Sequence, residues 1–264
     1  MFNLTPVVRV LLIINVIVFL ITNYLFANGI IIEQFGLHSF LSDKFNPIQL
    51  LTHMFLHANG NHIFSNMIGL LVFGPMLEQA WGPRRFTFFY FFCGLGSALL
   101  FSGVNYFEIH DVYESIQDYR LNPGFDNFSA FVDQHAVSYY ERLVPFIEKF
   151  KSYPNDSKNI QDSLAIANQI FTNQVDEPMV GASGAVFGVI MGFGLLFPNT
   201  ELFLLFLPIP IKAKYLVIAY GAFELYSGVY RTQTDNVAHF AHIGGMLFAF
   251  ILIKYWDSQR KTFY

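Results

Sequence analysis

Six apolar runs constrain this chain more than any other feature of its sequence. They lie near residues 7–27, 61–81, 86–106, 179–198, 213–230 and 239–256. A transmembrane α-helix needs about 20 predominantly apolar residues, and each run is close to that length. Charged residues make up only 13% of the chain, about half of the fraction in soluble domains. The sequence therefore predicts an all-α polytopic membrane protein, with six transmembrane helices in the lipid bilayer.

Charge and cysteine content exclude two further classes of protein. The net charge is −4, so we expect no nucleic-acid partner. The single cysteine, Cys93, excludes a scaffold of internal disulfides. No small-residue cleavage site clearly follows the run 7–27, which predicts a retained helix rather than a signal peptide.

The Lys and Arg residues of the short loops predict the orientation, because cytoplasmic loops carry an excess of them. One side holds only Lys44 and Arg231 when the long segment 108–177 is set aside. The other side holds eight, namely Arg9, Arg84, Arg85, Lys212, Lys214, Lys254, Arg260 and Lys261. We therefore expect both termini in the cytoplasm, most simply at a bacterial inner membrane. Residues 28–60, 108–177 and 231–238 would then lie outside.

The segment 108–177 differs in composition from the rest of the chain. It holds twelve acidic and five basic residues. Its apolar residues also recur at helical spacing, as in Ile160, Leu164, Ala167, Ile170 and Phe171. The sequence predicts a helical insert between the third and fourth spans. Residues 1–107 and 178–264 would form the membrane domain.

Several strongly polar side chains fall inside the predicted spans, where they are costly and usually functional. His62 and Asn66 are four residues apart in the second span and share one helix face. Ser183 opens the fourth span, and His239 and His242 open the sixth. The predicted orientation brings all of them to the outer leaflet.

This combination of residues favours nucleophilic catalysis over ordinary helix packing. A serine hydroxyl needs an adjacent base, and histidine serves as one near neutral pH. Small residues at Gly184, Gly188 and Gly192, and at Ala241, Gly245 and Ala249, would let two helices approach closely. The Ser183 N–H, Asn66 and His62 could donate to an oxyanion.

We expect a catalytic dyad rather than a triad. The sixth span carries no carboxylate near His242, and Asp235 lies seven residues earlier, about 10 Å along a helix. Glu224 in the fifth span is interpreted as a buried structural acid. Glu78 is interpreted as a structural group on the cytoplasmic side.

Three motifs occur in an order that resembles one family. They are His53-xxx-His57-xxxx-His62-xxx-Asn66, Gly181-Ala182-Ser183-Gly184 and Ala241-His242-Ile243-Gly244-Gly245. With Glu78 and Gly82, they make the chain similar to the rhomboid family of intramembrane serine proteases.

The resemblance implies a rhomboid-like bundle that hydrolyses peptide bonds in or near the transmembrane segments of membrane-protein substrates. It implies Ser183 as nucleophile, His242 as base, and His62 and Asn66 at the oxyanion. It implies no metal and no cofactor. His57, His239, Phe187 and Gly181 are candidates for supporting positions around these residues.

The chain departs from the family pattern at several points. The stretch "NPIQLLTH" lacks a Trp-Arg pair that is common in the family's first loop. Phe187 stands where an aromatic hydroxyl is frequent, although it can still pack on the histidine ring. Ala249 replaces a glycine, and the insert 108–177 replaces a loop that is usually short.

Two other functions remain open from the sequence. His53 and His57 have a spacing that can bind a metal, but Met54 breaks the H-E-x-x-H pattern of zinc proteases. An inactive rhomboid-like protein could bind membrane clients, yet such relatives typically lack the serine or the histidine. The sequence does not predict the oligomeric state.

Overall fold

The computed structural model describes residues 4–26, 29–204, 207–230 and 237–260. Arg231, Asp235 and Lys261, which the sequence analysis used, lie outside these ranges. The helices in chain order are α1 (Pro6–Leu20), α2 (Ile30–Phe35), α3 (Gln49–Thr52), α4 (Gly60–Trp81), α5 (Pro83–Leu121), α6 (Phe125–His135), α7 (Tyr140–Ser152), α8 (Ser157–Asp176), α9 (Ser183–Leu196), α10 (Ala213–Val229) and α11 (His239–Arg260). A π-helical turn, Ile21–Leu25, continues α1, and 3₁₀ turns form at His53–Phe55 and Val137–Tyr139.

Every predicted apolar run lies largely within one of these helices, but the helices differ in length. Four of the described helices are long and apolar enough to cross a membrane: Pro6–Leu25, Gly60–Trp81, Pro83–Leu121 and His239–Gln259. By contrast, α9 has 14 residues and α10 has 17. At 1.5 Å per residue α9 is about 21 Å long, shorter than a hydrocarbon core of about 30 Å. Six crossings therefore remain a prediction.

The short helix α9 lies at the centre of the bundle and packs against α4, α5, α10 and α11. It is apolar all round, as expected for a helix that neighbours enclose on every side. Its closest approach is to α11, where a Cβ at Gly245 would overlap the Gly184 carbonyl oxygen. Glycine at this crossing lets the two backbones touch, as the small-residue spacing predicted.

The helix α5 belongs to two separate cores. Its first half packs Phe86, Phe89, Tyr90 and Cys93 into the core of the membrane bundle. Its second half carries Val112, Ile116 and Tyr119 into another core formed with α6, α7 and α8. The predicted apolar face of α8 points into this second core. Segment 108–177 therefore folds as helices around its own apolar interior.

The end of α8 is bonded to the loop between α2 and α3. Asp176 accepts a hydrogen bond from the Ser42 hydroxyl at 2.6 Å and pairs with the Lys44 ammonium at 3.2 Å. Burial raises the pKa of Asp176, but the bonds from Ser42 and Lys44 outweigh it, so the pKa lies below its usual value. Leu37 and Met179 also exchange backbone hydrogen bonds at 2.9 and 2.8 Å. The loop is thus held against the segment that leads to Ser183.

A two-stranded antiparallel hairpin connects α9 to α10, which the all-α expectation missed. Its strands are β1 (Glu201–Leu204) and β2 (Leu207–Lys212), with Glu201 opposite Lys212 and Leu202 opposite Ile211. Pro208 and Pro210 interrupt this apolar stretch and cannot donate a hydrogen bond to a strand ladder. Each strand of a two-stranded sheet has one unpaired edge, however, and proline is tolerated there.

Glu78 caps the first helix from the end of α4. Its carboxylate accepts hydrogen bonds from the Thr5 hydroxyl and from the backbone N–H groups of Val7 and Val8, the latter two at 2.9 and 3.0 Å. These groups belong to the first turn of α1, where N–H donors have no partner within the helix. The carboxylate therefore joins α1 to α4, in line with a structural role.

Candidate active site

Ser183 begins α9 beside a glycine with a special backbone conformation. Gly181 has φ +132°, which side-chain-bearing residues rarely adopt. A Cβ at Gly181 would lie 2.6 Å from Nε2 of His62 and 3.6 Å from Oγ of Ser183. The Gly181 N–H also donates to the His53 carbonyl oxygen at 2.9 Å. The local backbone thus brings the serine hydroxyl and the His62 ring to the same point.

His242 lies in the first turn of α11, next to the crossing with α9. The neighbouring residues are close, since a Cβ at Gly184 would lie 3.3 Å from the Ala241 carbonyl oxygen. The Ser97 hydroxyl donates to that same carbonyl at 2.6 Å and links α5 to the crossing. Among the described residues, no hydrogen bond joins Ser183 Oγ to the His242 ring. Catalytic hydrogen bonds are often long before substrate binds.

Phe187 lies flat on the His242 ring. The ring centroids are 4.1 Å apart and the planes differ by 8°. Phe187 is four residues after Ser183, so it stands one helical turn beyond the serine on the same face. The packing allowed by the sequence is therefore observed, and it fixes the plane of the imidazole beside α9.

Glu224 supplies a carboxylate partner to His242, which corrects the expectation of a histidine without one. Its Oε2 lies 2.8 Å from Nδ1 of His242 and 2.6 Å from Nδ1 of His239. The Glu224 side chain is only 6% exposed. The sixth span carries no carboxylate near His242, whereas this one comes from α10. A glutamate within an apolar run was the available signal.

His62 and Asn66 lie in the first two turns of α4. The Asn59 side chain caps this helix by accepting from the His62 N–H at 2.9 Å. The Asn66 side chain is 5% exposed, and its Nδ2 has no hydrogen-bond partner among the described residues. A buried donor without an acceptor costs roughly 1–3 kcal/mol. The Asn66 Nδ2 therefore has N–H groups that no described side chain or backbone group accepts.

The other two histidines of the first loop are buried and neutral. The His53 Nδ1 donates to the Gln49 carbonyl oxygen at 2.8 Å, and burial lowers the His53 pKa to about 4. Burial and the nearby His62 lower the His57 pKa to about 3. The His57 ring meets the His62 ring edge-on at 5.1 Å. Its two nitrogens have no hydrogen-bond partner among the described residues.

The described residues do not support the metal site suggested for His53 and His57. In this part of the chain, one group of three potential ligands has its donor atoms within 4.8 Å of one another, and it consists of Glu224, His239 and His242. Neither His53 nor His57 belongs to it. His239 is thus a direct neighbour of His242, which fits its candidacy for a supporting position.

Comparisons with known proteins place the chain in a family. The Rhomboid domain model matches residues 44–108 and 163–256, more than half of the chain. A rhomboid-like protein 16, chloroplastic, of Arabidopsis thaliana is 34% identical over 64 residues, 24% of this chain and 19% of the relative. Rhomboid protease AarA of Providencia stuartii is 38% identical over 56 residues, 21% of this chain and 20% of the relative.

A third relative is the mitochondrial rhomboid protein 1 of Saccharomyces cerevisiae. It is 33% identical over 88 residues, 32% of this chain and 25% of the relative. The alignments thus span about a fifth to a quarter of these proteins, and they carry less weight than the domain match. On that match, the chain is an integral membrane protein that belongs to the rhomboid family.

Proposed function

We propose that this protein is an intramembrane serine protease that cleaves peptide bonds in or near the transmembrane segments of membrane proteins. Ser183 is the nucleophile and His242 is the general base. His62 and Asn66 stabilise the oxyanion. The observation that carries this assignment is the meeting of α9 and α11 at Gly184 and Gly245, which brings the two helix starts together.

The reaction follows from the chemistry of these side chains. Nε2 of His242 takes the Ser183 hydroxyl proton as Oγ attacks the scissile carbonyl carbon. The carbonyl oxygen becomes negative and is bound by the Asn66 amide, the His62 ring and the Ser183 N–H. His242 then gives its proton to the leaving amine. A water molecule, activated in the same way, hydrolyses the acyl-enzyme.

The length of α9 supports peptide cleavage within the membrane. A helix of about 21 Å cannot reach across a hydrocarbon core of about 30 Å. At least one end of α9 therefore lies inside the layer if the bundle spans it. Ser183 stands at such an end, half-buried, where it could meet a substrate's transmembrane segment.

The orientation and the insert form a second part of the proposal. Residues 1–107 and 178–264 form the protease domain, and both termini face the cytoplasm of a bacterial cell. Residues 108–177 form an accessory outside the inner membrane. The charge balance of the loops supports this orientation. The separate core of α6–α8 supports an accessory that folds around its own interior.

The proposal is tested by labelling with a fluorophosphonate and by cleavage of a transmembrane reporter in detergent. Ser183→Ala should abolish both. Ser102→Ala is a matched control, because Ser102 is a buried serine of α5 whose hydroxyl has no described hydrogen-bond partner. This control should keep both activities. A folded wild-type protein without labelling or cleavage would contradict the proposal and favour a client-binding rhomboid-like protein.

A further inference from the structure

We infer that Glu224 is a positioning residue for the proposed base His242, so that serine, histidine and glutamate act as a triad contributed by three helices. The inference rests on the proposed function. Ser183 comes from α9, Glu224 from α10 and His242 from α11. The carboxylate lies 2.8 Å from Nδ1 of His242 and is almost wholly enclosed by the bundle.

The carboxylate determines which nitrogen of His242 carries the proton. An ionised carboxylate can only accept hydrogen bonds, so the Nδ1 that faces it must donate. In a neutral imidazole the other nitrogen, Nε2, then keeps its lone pair. The lone pair is what the base needs in order to take the Ser183 proton. Without Glu224, either nitrogen could be protonated, and one of the two forms is inactive.

Glu224 and Phe187 restrain different motions of the same ring. Stacking on Phe187, with the planes 8° from parallel, opposes tilting of the imidazole. It does not oppose rotation within the stacking plane. The hydrogen bond to Glu224 acts at the ring edge and opposes that rotation. Together they set the direction in which Nε2 points.

Glu224 also stabilises the positive charge that appears on His242. When the base takes the serine proton it becomes an imidazolium, next to an acceptor that is already in place. A charge-assisted hydrogen bond is stronger than a neutral one, and it strengthens further in a site that excludes water. The carboxylate therefore favours the charged state more than the resting state, as catalysis requires.

His239 holds the carboxylate from the other side. Its Nδ1 lies 2.6 Å from the same Oε2, and its ring stands edge-on to His242 at 6.2 Å. The two histidines thus join α10 to α11 through one oxygen. This arrangement gives Glu224 a structural effect as well, and the test has to separate that effect from positioning.

Hydrogen bonding fits the distances better than a bound metal ion does. Zinc lies about 2.0–2.2 Å from its nitrogen and oxygen ligands, so tetrahedral ligands stand more than 3 Å apart. The Glu224 oxygen is 2.6 and 2.8 Å from the two ring nitrogens. The second distance is that of a direct N–H···O bond and the first is slightly shorter, and both are too short for two ligands of one metal ion. A metal site on the same three residues is nevertheless an outcome that the experiment can detect.

The experiment compares four variants by steady-state cleavage of the transmembrane reporter, with the rates normalised to folded protein. Glu224→Gln keeps the size but loses the charge and the exclusive acceptor character, and we expect kcat to fall about 100-fold or more with KM unchanged. In a soluble serine protease, the corresponding loss of charge costs about 10⁴ by admitting the wrong tautomer. Glu224→Asp should recover part of kcat, because it keeps a carboxylate. His239→Gln should lower Tm and should lower kcat less than Glu224→Gln does, because the contact between Glu224 and His242 stays in place.

Ser183→Ala separates failure of this inference from failure of the proposed function. If Glu224→Gln keeps its kcat and loses only Tm, while Ser183→Ala is inactive, Glu224 is structural and the inference is wrong. If wild type and Ser183→Ala do not differ, the proposed function itself fails. Loss of wild-type activity with a chelator, and its return with zinc, would replace the triad with a metal site.

A spectroscopic measurement tests the hydrogen bond without any activity. In protein with ¹⁵N-labelled histidine rings, His242 should show a protonated Nδ1 and an unprotonated Nε2 at pH 8. The His242→Gln variant identifies its signals. Glu224→Leu, which removes the acceptor, should abolish this preference for one tautomer. A protonated Nε2 in the wild-type protein would overturn the inference.

Discussion

The imidazole of His242 lies parallel to the phenyl ring of Phe187, with the ring centroids 4.1 Å apart. Stacked aromatic pairs contribute about 0.5–1.5 kcal/mol beyond the area that they bury. Phe187→Ala should therefore lower kcat about two- to tenfold by freeing the ring of the proposed base, His242, whereas Phe187→Tyr should keep most of it. Steady-state cleavage of the reporter measures both. Equal kcat in Phe187→Ala and wild type would show that the stack does not position the base.

His242→Ala should damage catalysis far more than His239→Ala. Removing a member of a catalytic serine–histidine pair lowers the rate by several orders of magnitude in soluble proteases. His239 contacts Glu224 but stands one turn before His242 on α11, away from the Gly184–Gly245 crossing. Its loss should act mainly through stability. The rates of fluorophosphonate labelling of His242→Ala and His239→Ala measure the difference. A greater loss of labelling in His239→Ala would identify His239 as the base.

Asn66→Ala should lower kcat about 10²–10³-fold, the cost of one oxyanion donor in a soluble protease. Its Tm should change little, because the Asn66 Nδ2 has no hydrogen-bond partner among the described residues and none is broken. A large fall in kcat with a small change in Tm would identify Asn66 as a donor to the oxyanion. A fall in Tm with unchanged kcat would instead make Asn66 a structural residue.

Acid should destabilise the protein through the buried histidines of the first loop. Burial lowers the pKa of His53 to about 4 and that of His57 to about 3, whereas both stay near 6.5 in the unfolded chain. Below about pH 6.5 the unfolded state therefore binds more protons, and folding stability falls. At pH 5, His53 and His57 should each lower the free energy of unfolding by about 2 kcal/mol.

Thermal unfolding in detergent at pH 7 and pH 5 measures this effect. The loss of Tm between the two values should be smaller in His53→Gln and in His57→Gln, since neither variant can take up the proton. His110→Gln is the matched control, because His110 is an exposed histidine of α5. The same loss of Tm in all three variants would attribute the acid effect to other groups.

Replacing 110–175 with a short Gly/Ser linker should leave fluorophosphonate labelling of Ser183 largely intact. The residues removed build the second core, and the core around α9 contains none of them. Cleavage of a natural substrate should change much more than cleavage of a generic transmembrane peptide, since outer loops more often carry specificity. The surface variant Lys158→Ala should behave as wild type in both assays.

Two results would contradict this prediction. Loss of labelling on deletion would show that the insert holds the catalytic helices together. Resistance of the insert to external protease, in cells stripped of their outer membrane, would contradict the proposed orientation.

The sequence predicted the helices of the bundle because the requirement is local: each run must be apolar enough for lipid. The closeness of His62 to the start of α9 was also expected, since spacing within one helix sets a common face and depth. The catalytic roles of these polar residues stay a prediction. The extension of α5 to Leu121 was missed because charges begin at Glu108. Outside the bilayer, a helix no longer needs a continuous apolar run.

The contact between Glu224 and His242 could not be predicted from spacing in the sequence. Glu224 stands 18 residues before His242, on a different helix, and no rule of periodicity relates the two positions. Their contact depends on how α10 packs against α11, which is a tertiary property. The hairpin between α9 and α10 was missed for a related reason, because strand pairing can accommodate two prolines where an edge is free.

Because α5 is one continuous helix, it connects the two cores rigidly. One residue inserted near Phe107 would rotate the second half of α5 by about 100° and shift it by about 1.5 Å along the helix axis. Phe86 and Cys93, in the first half, would keep their places. Two inserted residues would turn the outer half by about 200°, and four would almost restore its original facing. The number of residues inserted into α5 thus sets the rotation of the second core relative to the bundle that holds Ser183. The second core can be turned away from Ser183 without deleting any of it.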